Sequence, residues 1–375
     1  MSPTRHHPRP PAPVLRTVTG PLAADAVRGP VLPHEHLVLD LDRAGDGGAV
    51  LDARRDGAAV AAELAELRSA YGLGLVVELT CRGMGRDPRA LRRVGLRAQV
   101  PVVAATGWYY APFHPADLHG RGVDELAAVL LDDIDGGLDS TGIRPGVLGE
   151  IGSHGDVPDA AESRVLRAAA RAAVARGLSV ATHAQLGRGG PAQLALLTGE
   201  GLAPDRVSIG HQDLLDDPAV HRDLAAAGAY VAFDTVGKHR YQSDGRRLRL
   251  LLALLDAGHA DRALLSCDIS RHGYLRSRGG QGYGHLFRSF LPALRAAGAD
   301  DDLVDLLTRR NPLRFLTGTD LPPLRATARP RPGTADPDPP AGTADPRPAK
   351  EPPDGTADPR PVTDPPYPGT EEDPA

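Results

Sequence analysis

Short runs of aliphatic and β-branched residues recur through the middle of the chain and alternate with stretches of helical periodicity. The short runs are apolar almost to their last residues, which is typical of strands buried on both faces of a parallel sheet. The sequence predicts eight such strands, at residues 31–36, 75–80, 101–106, 146–151, 178–183, 206–211, 229–234 and 263–268.

Helical periodicity fills the gaps between these runs, for example at residues 123–134, 160–175 and 246–255. Gly177 and Gly228 stand where two helices would end, because glycine readily adopts the left-handed conformation that terminates a helix. Eight strand-then-helix units within about three hundred residues predict an α/β fold, specifically a (β/α)₈ TIM barrel.

The two ends of the chain differ from its middle in composition. Residues 321–375 hold 17 of the 36 prolines and repeat the unit Gly-Thr-Ala-Asp-Pro at Gly333, Gly342 and Gly355. A segment with so few apolar residues cannot offset the entropy cost of ordering its backbone. We therefore expect a disordered leader at residues 1–14, a barrel domain at residues 15–320, and a disordered proline-rich tail at residues 321–375.

Charge and cysteine content narrow the expected partners and compartment. The net charge of −5, with arginines scattered along the chain, argues against a nucleic-acid surface. No apolar run approaches the roughly 20 residues that span a bilayer, and the leader lacks the apolar core of a signal peptide. Two cysteines, Cys81 and Cys267, cannot form a disulfide framework. These features predict a cytoplasmic protein with no nucleic-acid partner and no membrane partner.

Metal-type side chains follow the ends of the predicted strands. His34 and His36 end the first strand on one face, because side chains alternate along a strand. Any one such residue is more often a hydrogen-bonded histidine or a helix cap than a ligand. Six such residues, however, stand at the carboxyl ends of predicted strands, which is the end of a barrel where active sites form. This common position favours a metal centre over six unrelated structural roles. Four histidines and two carboxylates exceed one tetrahedral site and suit two ions with a shared ligand. The candidates are His34, His36, Glu150, His183, His211 and Asp268.

The order of these residues resembles the amidohydrolase superfamily, and the local sequences resemble its phosphotriesterase-like branch. Within that branch the chain is most similar to the phosphotriesterase-related or homology proteins, over roughly residues 16–318. The matching segments are Leu-Pro-His-Glu-His-Leu at residues 32–37, Ala-Thr-Gly-Trp-Tyr-Tyr-Ala-Pro-Phe-His-Pro at 105–115, Phe-Asp-Thr-Val-Gly-Lys at 233–238, Gly-Gly-Gln-Gly-Tyr-Gly-His at 279–285, and Asn-Pro at 311–312.

The resemblance implies a division of the ligands between two divalent ions. His34, His36 and Asp268 would hold one ion, His183 and His211 the other, and Glu150 would bridge both. Zinc is the expected metal, with manganese or cobalt as alternatives. In the phosphotriesterases proper the bridging residue is a carboxylated lysine, so we do not carry organophosphate hydrolysis over to a chain with Glu150 at that position.

The implied activity is that of a metal-dependent hydrolase of a small ester, lactone or amide. A hydroxide bridging the two metals would attack the substrate, and Asp268 would transfer the proton to the leaving group. Phosphoester or phosphotriester hydrolysis at the same centre remains an alternative, as does a non-catalytic metal-binding barrel. Relatives of this fold are often dimeric, so a homodimer is an open alternative to a monomer. The expected substrate contacts are Trp108, Tyr109, Lys238, Arg271 and Tyr283. Lys238 and Arg271 are candidates to bind an acidic group, and a solvated loop charge is the alternative for each. Tyr283 is a candidate for a mobile glycine-rich lid, and the glycines equally suit a tight turn.

Overall fold

Eight parallel strands form the central sheet, and all eight were predicted from the sequence. The computed structural model describes residues 12–43, 45 and 47–324. Each strand pairs with its neighbour in chain order. The ring closes between the first and last strands, where Asp268 N donates to His34 O (3.3 Å) and His34 N donates to Ser266 Oγ (3.2 Å). The eight strands are β3 (Val31–Glu35), β6 (Leu75–Glu78), β7 (Val102–Thr106), β8 (Val147–Ser153), β9 (Val180–Ala184), β10 (Val207–Ile209), β11 (Tyr230–Phe233) and β12 (Ala263–Leu265).

Helices follow the strands and cover the outside of the sheet, which confirms the TIM-barrel prediction. Gly177 ends α4 (Ala160–Arg176) with a left-handed φ of 64°, as the sequence predicts. The helix that precedes Gly228 has its cap at Ala227, and Gly228 follows with a φ of 100°. The α-helices are α1 (Gly57–Tyr71), α2 (Pro88–Ala98), α3 (Val123–Gly136), α4 (Ala160–Arg176), α5 (Gly190–Gly199), α6 (Pro218–Ala226), α7 (Asp244–Asp256), α8 (Leu291–Ala296), α9 (Asp301–Asp305) and α10 (Asn311–Thr317).

The amino-terminal end of the barrel is closed by segments from both ends of the domain. An antiparallel hairpin of β1 (Val14–Thr17) and β2 (Gly20–Ala23) places Leu15 against the apolar interior. Phe315 of α10 packs into the same cluster, and Asn311 Nδ2 donates to Ala260 O and Ala263 O at 2.9 Å. A second short hairpin, β4 (Leu39–Asp40) with β5 (Val50–Leu51), lies after β3.

The limits of the predicted domains are only partly within the described residues. Strand β1 begins at Val14, one residue before the predicted start of the barrel domain. Residues 1–11 of the predicted leader and residues 325–375 of the predicted tail lie outside the described residues, so their disorder stays a prediction. Among the helices that are described, none combines the length and the apolar character needed to cross a membrane.

Candidate metal centre

The six predicted ligands converge at the carboxyl end of the barrel. Their side chains come from the ends of three strands (β3, β8 and β9) and from the loops that follow β10 and β12, and each residue is at most 6% exposed. Their donor atoms form three overlapping groups in which all atoms lie within 4.8 Å of one another. The three groups are His34 with His36 and Glu150, His34 with His211 and Asp268, and Glu150 with His183 and His211.

Glu150 lies between the histidines of the two predicted sets. Its Oε1 atom is 2.9 Å from His183 Nδ1 and 3.1 Å from His211 Nε2. The other oxygen, Oε2, is 3.5 Å from His36 Nε2, while Oε1 is also 3.5 Å from His34 Nε2. One carboxylate therefore faces both sets of imidazole nitrogens.

Asp268 completes the side of the cluster that contains His34 and His36. Its Oδ1 atom is 3.3 Å from His36 Nε2 and 3.9 Å from His34 Nε2. The opposite oxygen, Oδ2, accepts a hydrogen bond from the buried Lys238 ammonium, which also contacts Ser270 Oγ at 3.2 Å. Burial alone would raise the pKa of Asp268, but Lys238 and the neighbouring histidines hold it well below its ordinary value, so the carboxylate is charged at neutral pH.

Hydrogen bonds at the far side of each ring fix how three of the histidines face the cluster. Asp234 Oδ2 lies 2.7 Å from His34 Nδ1, and Asp234 Oδ1 lies 2.9 Å from His211 Nδ1. Thr80 Oγ1 donates to Val38 O and therefore accepts from His36 Nδ1 at 2.8 Å. Because a carboxylate or an engaged hydroxyl accepts the Nδ1 proton, Nε2 of these rings is left to face the centre.

His183 is turned the other way. Its Nε2 atom lies 2.7 Å from Gln185 Oε1, an amide oxygen that can only accept, so Nε2 carries the proton. The Nδ1 atom then carries the lone pair, and it lies 2.9 Å from Glu150 Oε1, 2.8 Å from His211 Nε2 and 3.1 Å from the Tyr109 hydroxyl. The cluster thus combines three Nε2 atoms with one Nδ1 atom.

Asp234 was missed by the sequence reasoning, although it links both sets of ligands. It is fully buried and contacts one histidine of each set. The burial would raise the pKa of Asp234, but His211 and His34 lower it well below its usual range. The signal was available, because Asp234 is the last residue of the seventh predicted strand, just as Asp268 is the last residue of the eighth.

Glu35 anchors the loop that carries Asp268. Strand alternation points Glu35 away from His34 and His36, towards the loop after β12. Its carboxylate accepts from Cys267 N at 2.8 Å, Ile269 N at 2.9 Å and Ser266 Oγ at 2.8 Å. Burial raises the pKa of Glu35 to about 7, even though these hydrogen bonds oppose the shift.

Two ligands have an unusual backbone conformation. His211 has φ 56° and Asp268 has φ 48°, both in the left-handed region that costs non-glycine residues about 1–3 kcal/mol. β10 ends at Ile209 and β12 ends at Leu265, before the ligand in each case, so both strands are shorter than predicted. Gly210 is required beside His211, since a Cβ atom there would lie 2.1 Å from Thr182 O. Residues with such an unfavourable backbone conformation often occur at active sites and ligand-binding sites.

The donor set fits divalent transition-metal ions. Imidazole nitrogens and carboxylate oxygens are the usual ligands of zinc, cobalt and manganese. His34 Nε2 is buried and has no hydrogen-bond partner, although it faces Glu150 and Asp268. Burial opposes protonation of His211, but Asp234 and Glu150 raise its pKa to about 10, and hydrogen bonds to Asp268 and Glu150 likewise raise the pKa of His36 to about 9. Such a concentration of carboxylate charge attracts cations.

The predicted aromatic substrate contacts occupy two different places. The Tyr109 ring packs edge-on against the His183 ring with centroids 4.5 Å apart, and Tyr110 stacks on the same ring at 5.3 Å. Trp108 lines a cavity of about 380 Å³ with Arg82 and Arg86, and none of the six predicted ligands lines that cavity. Tyr109 is therefore beside the centre, whereas Trp108 lies at a neighbouring cavity. Tyr110 is an aromatic neighbour that the sequence reasoning did not select.

The other three predicted substrate contacts, Lys238, Arg271 and Tyr283, also lie in different surroundings. Lys238 lies against Asp268, and both Lys238 Nζ and Arg271 Cζ lie over the Tyr274 ring, at 5.4 and 5.2 Å from its centroid. Tyr283 is fully buried, and its hydroxyl donates to His36 O at 2.6 Å. In this structure Tyr283 is a packed residue under the first strand end rather than part of an open lid.

The sequence and the fold were compared with known proteins. The model of the Phosphotriesterase family matches residues 13–316. The Phosphotriesterase homology protein of Escherichia coli (strain K12) is 38% identical over 288 residues, which are 76% of this chain and 97% of that protein. The N-acetyltaurine hydrolase of Rattus norvegicus is 32% identical over 260 residues, 66% of this chain and 74% of that protein.

Solved structures agree with these matches. The crystal structure of the phosphotriesterase homology protein from Escherichia coli, complexed with phosphate in its active site, has a TM-score of 0.75 and 36% identity, covering 77% of this chain and 99% of that chain. The organophosphorus hydrolase from Deinococcus radiodurans has a TM-score of 0.73 and 33% identity, covering 84% of this chain and 100% of that chain.

The barrel, its buried donor cluster and these matches define the class of protein, a metal-dependent hydrolase. The chain belongs to the phosphotriesterase family, as its strand-end motifs indicated.

Proposed function

We propose that this hydrolase uses a centre of two divalent ions to cleave a small ester, lactone or amide that carries an acidic group. The observation that carries the proposal is the position of Glu150, whose two oxygens face different histidines within 3.5 Å. A single carboxylate between two sets of imidazole donors suits a ligand shared by two ions.

In this proposal each ion would take donors from one side of Glu150. His34, His36 and Asp268 would hold one ion, and His183 and His211 would hold the other. Divalent ions supply Lewis acidity to such a site, since they lower the pKa of water and polarise a carbonyl or phosphoryl oxygen. Zinc is the metal we expect, because it accepts imidazole and carboxylate ligands while leaving a position open.

Asp268 is the proposed general base. Its carboxylate is charged, and its Oδ1 atom lies on the same side as the histidines. There it can accept a proton from the attacking water and return it to the leaving group. Lys238 holds the second oxygen of Asp268 and so acts as a positioning residue for the proton transfer.

The acidic group of the substrate is inferred from the charges around the mouth. Lys238 lies against Asp268, and Arg271 lies over the same Tyr274 ring as Lys238. Guanidinium and ammonium groups bind carboxylates, sulfonates and phosphates through charge-assisted hydrogen bonds. The rat relative is named for N-acetyltaurine, and this name supports an amide as the bond to test first.

Phosphoester hydrolysis is the second candidate. It is favoured by the phosphate in the active site of the structure from Escherichia coli and by the name of the hydrolase from Deinococcus radiodurans. A phosphoryl oxygen would be polarised at the same position as a carbonyl oxygen, so the metal ligands alone do not separate the two reactions.

A substrate panel tests the proposal. The zinc-loaded chain is incubated with N-acyl amino acids, N-acyl aminosulfonates, lactones, carboxylic esters, phosphomonoesters and phosphotriesters, with the chelator-treated chain as the background. We expect metal-dependent turnover of a carboxyl-derived substrate, faster when that substrate carries an anionic group. Turnover confined to phosphoesters would support the second candidate, and no turnover of any substrate would favour a non-catalytic metal-binding barrel.

A further inference from the structure

A second cluster of metal-type side chains lies at the rim of the same end of the barrel. It consists of His239 in the loop after β11, Asp244 at the start of α7, and His285 in the loop after β12, and we call it the rim triad. One donor atom from each residue lies within 4.8 Å of the other two. None of the three residues belongs to the proposed two-ion centre.

The distances within the rim triad fit a single ion. His285 Nε2 is 2.7 Å and His239 Nε2 is 3.9 Å from the same oxygen, Asp244 Oδ2. Two ligands of one zinc ion, each bonded at about 2.1 Å in tetrahedral geometry, are separated by about 3.4 Å, between these two values. The two imidazole rings meet edge to face with centroids 5.6 Å apart. Small side-chain movements would therefore bring all three donors onto one ion.

Asp244 is held so that one oxygen remains for the histidines. Its Oδ1 atom accepts from Gly237 N at 3.0 Å and from Arg247 Nη1 at 3.1 Å. The charge of Arg247 is shared with Asp213, whose Oδ2 lies 2.6 Å from Arg247 Nε. Supporting hydrogen bonds of this kind orient a carboxylate ligand.

His285 is also held in place, whereas His239 is open to solvent. A Cβ atom at Gly237 would lie only 2.8 Å from His285 Cδ2, so this ring packs closely against the loop backbone. The side chain of His239 is 61% exposed, which leaves an entry route for an ion. An ion pair between His285 and Asp244 would explain why these two side chains are close together. It would not explain why His239 Nε2 also lies 3.9 Å from the same oxygen of Asp244.

We propose that the rim triad binds a further divalent transition-metal ion, separate from the central cluster. Two imidazoles and one carboxylate with open positions are a donor set for zinc, cobalt or ferrous iron rather than for magnesium or calcium. A bound ion would join the loops after β11 and β12. Because His239 follows Lys238, it would also fix the segment that carries the cation beside Asp268.

Zinc binding to the chelator-treated full chain, measured by equilibrium dialysis, tests this proposal. The variants are His239→Ala, which changes an exposed side chain, and His285→Gln, which keeps a donor for Asp244. His119→Ala, a substitution of an exposed histidine in another loop, is the matched control. We expect both rim variants to bind one ion fewer per chain than the control, or to bind it at least about tenfold more weakly.

The readout is the difference between variants, so it does not depend on whether the central cluster holds one ion, two ions or none. Equal zinc binding by the unaltered chain and His239→Ala would overturn the proposal. So would an equal loss in His119→Ala. A thermal unfolding curve of each metal-free variant checks that any loss of zinc does not follow from misfolding.

Discussion

The two halves of the barrel interior are filled by opposite chemistry, although the same strands supply both. Along β11 the inward positions run from Tyr230 through Ala232 to Asp234, just beyond the strand. Along β12 they run from Leu264 to the histidine-facing Asp268. The amino-terminal half is an apolar cluster, whereas the carboxyl-terminal half holds buried imidazoles and carboxylates.

This difference separates what stabilises the molecule from what makes it reactive. Burial of apolar side chains contributes about 25 cal/mol of folding free energy per Å² of apolar surface. The apolar amino-terminal half of the interior therefore stabilises the fold. Buried charges are costly unless they are paired, and at the mouth each one meets opposite charges or polar partners. Substitutions in the two halves should therefore change different observables.

The largest expected effect belongs to Asp268 at the mouth. Asp268→Asn removes the proposed proton acceptor, and we expect turnover to fall by about 10²–10⁴-fold while the metals stay largely bound. Steady-state kinetics and metal analysis of the same preparation measure both quantities. Ser270→Ala, which also alters a contact of Lys238, is the control and should keep most of the activity. Full activity of Asp268→Asn would remove Asp268 from the mechanism.

A substitution in the apolar half should give the reverse result. Leu264 is 1% exposed in the interior cluster, and Leu264→Ala should lower the free energy of unfolding by about 2–5 kcal/mol. Activity per folded molecule should remain unchanged. Urea unfolding measures the loss, with the exposed Leu96→Ala as the control, expected within about 0.5 kcal/mol of the unaltered chain. A loss of metal in Leu264→Ala would show that the halves are not independent.

Asp234 lies where the two halves meet and should have an intermediate effect. In Asp234→Asn only one of the two histidine Nδ1 protons can be accepted, because the amide nitrogen is a donor. We expect zinc affinity to fall by about 10–100-fold. Competition with a chromophoric chelator measures the affinity, and the surface substitution Asp216→Asn is the control. Unchanged affinity would mean that Asp234 does not orient the ligands.

The smallest expected effect distinguishes two roles for Tyr283. If it supports the first strand end, Tyr283→Phe loses one hydrogen bond to His36 O and about 0.5–1.5 kcal/mol of stability, while turnover is kept. If it contacts substrate, as the glycine-rich motif indicates, the Michaelis constant should rise with little change in stability. Urea unfolding and steady-state kinetics on the same variant separate the two results.

The positions of the strands and of the six converging residues could be predicted because both depend on local pattern. Apolar runs mark the buried strands, and a polar residue at the end of such a run is carried to the mouth by the topology itself. The lengths of β10 and β12 were overestimated, because both strands end before His211 and Asp268, two residues with a left-handed backbone. Aspartate and histidine adopt the left-handed conformation more often than most other residues, but the sequence does not show which individual residues do so.

Contacts between loops could not be predicted in the same way. The pairing of Lys238 with Asp268 depends on how two loops fold over the mouth, and residue spacing does not encode it. The glycines around Tyr283 suited either a mobile lid or a tight turn, and here Gly282 and Gly284 allow close packing against Arg276 and Arg288. The use of Nδ1 by His183 likewise follows from Gln185, which sequence reasoning had no reason to select.

Anomalous diffraction from crystals of the full chain grown with zinc tests the central claim most directly. We expect two peaks that flank Glu150, one beside His34, His36 and Asp268 and one beside His183 and His211. In crystals of Glu150→Ala at least one of these peaks should disappear. A single peak, or no peak at this cluster in the unaltered chain, would contradict the proposed two-ion centre.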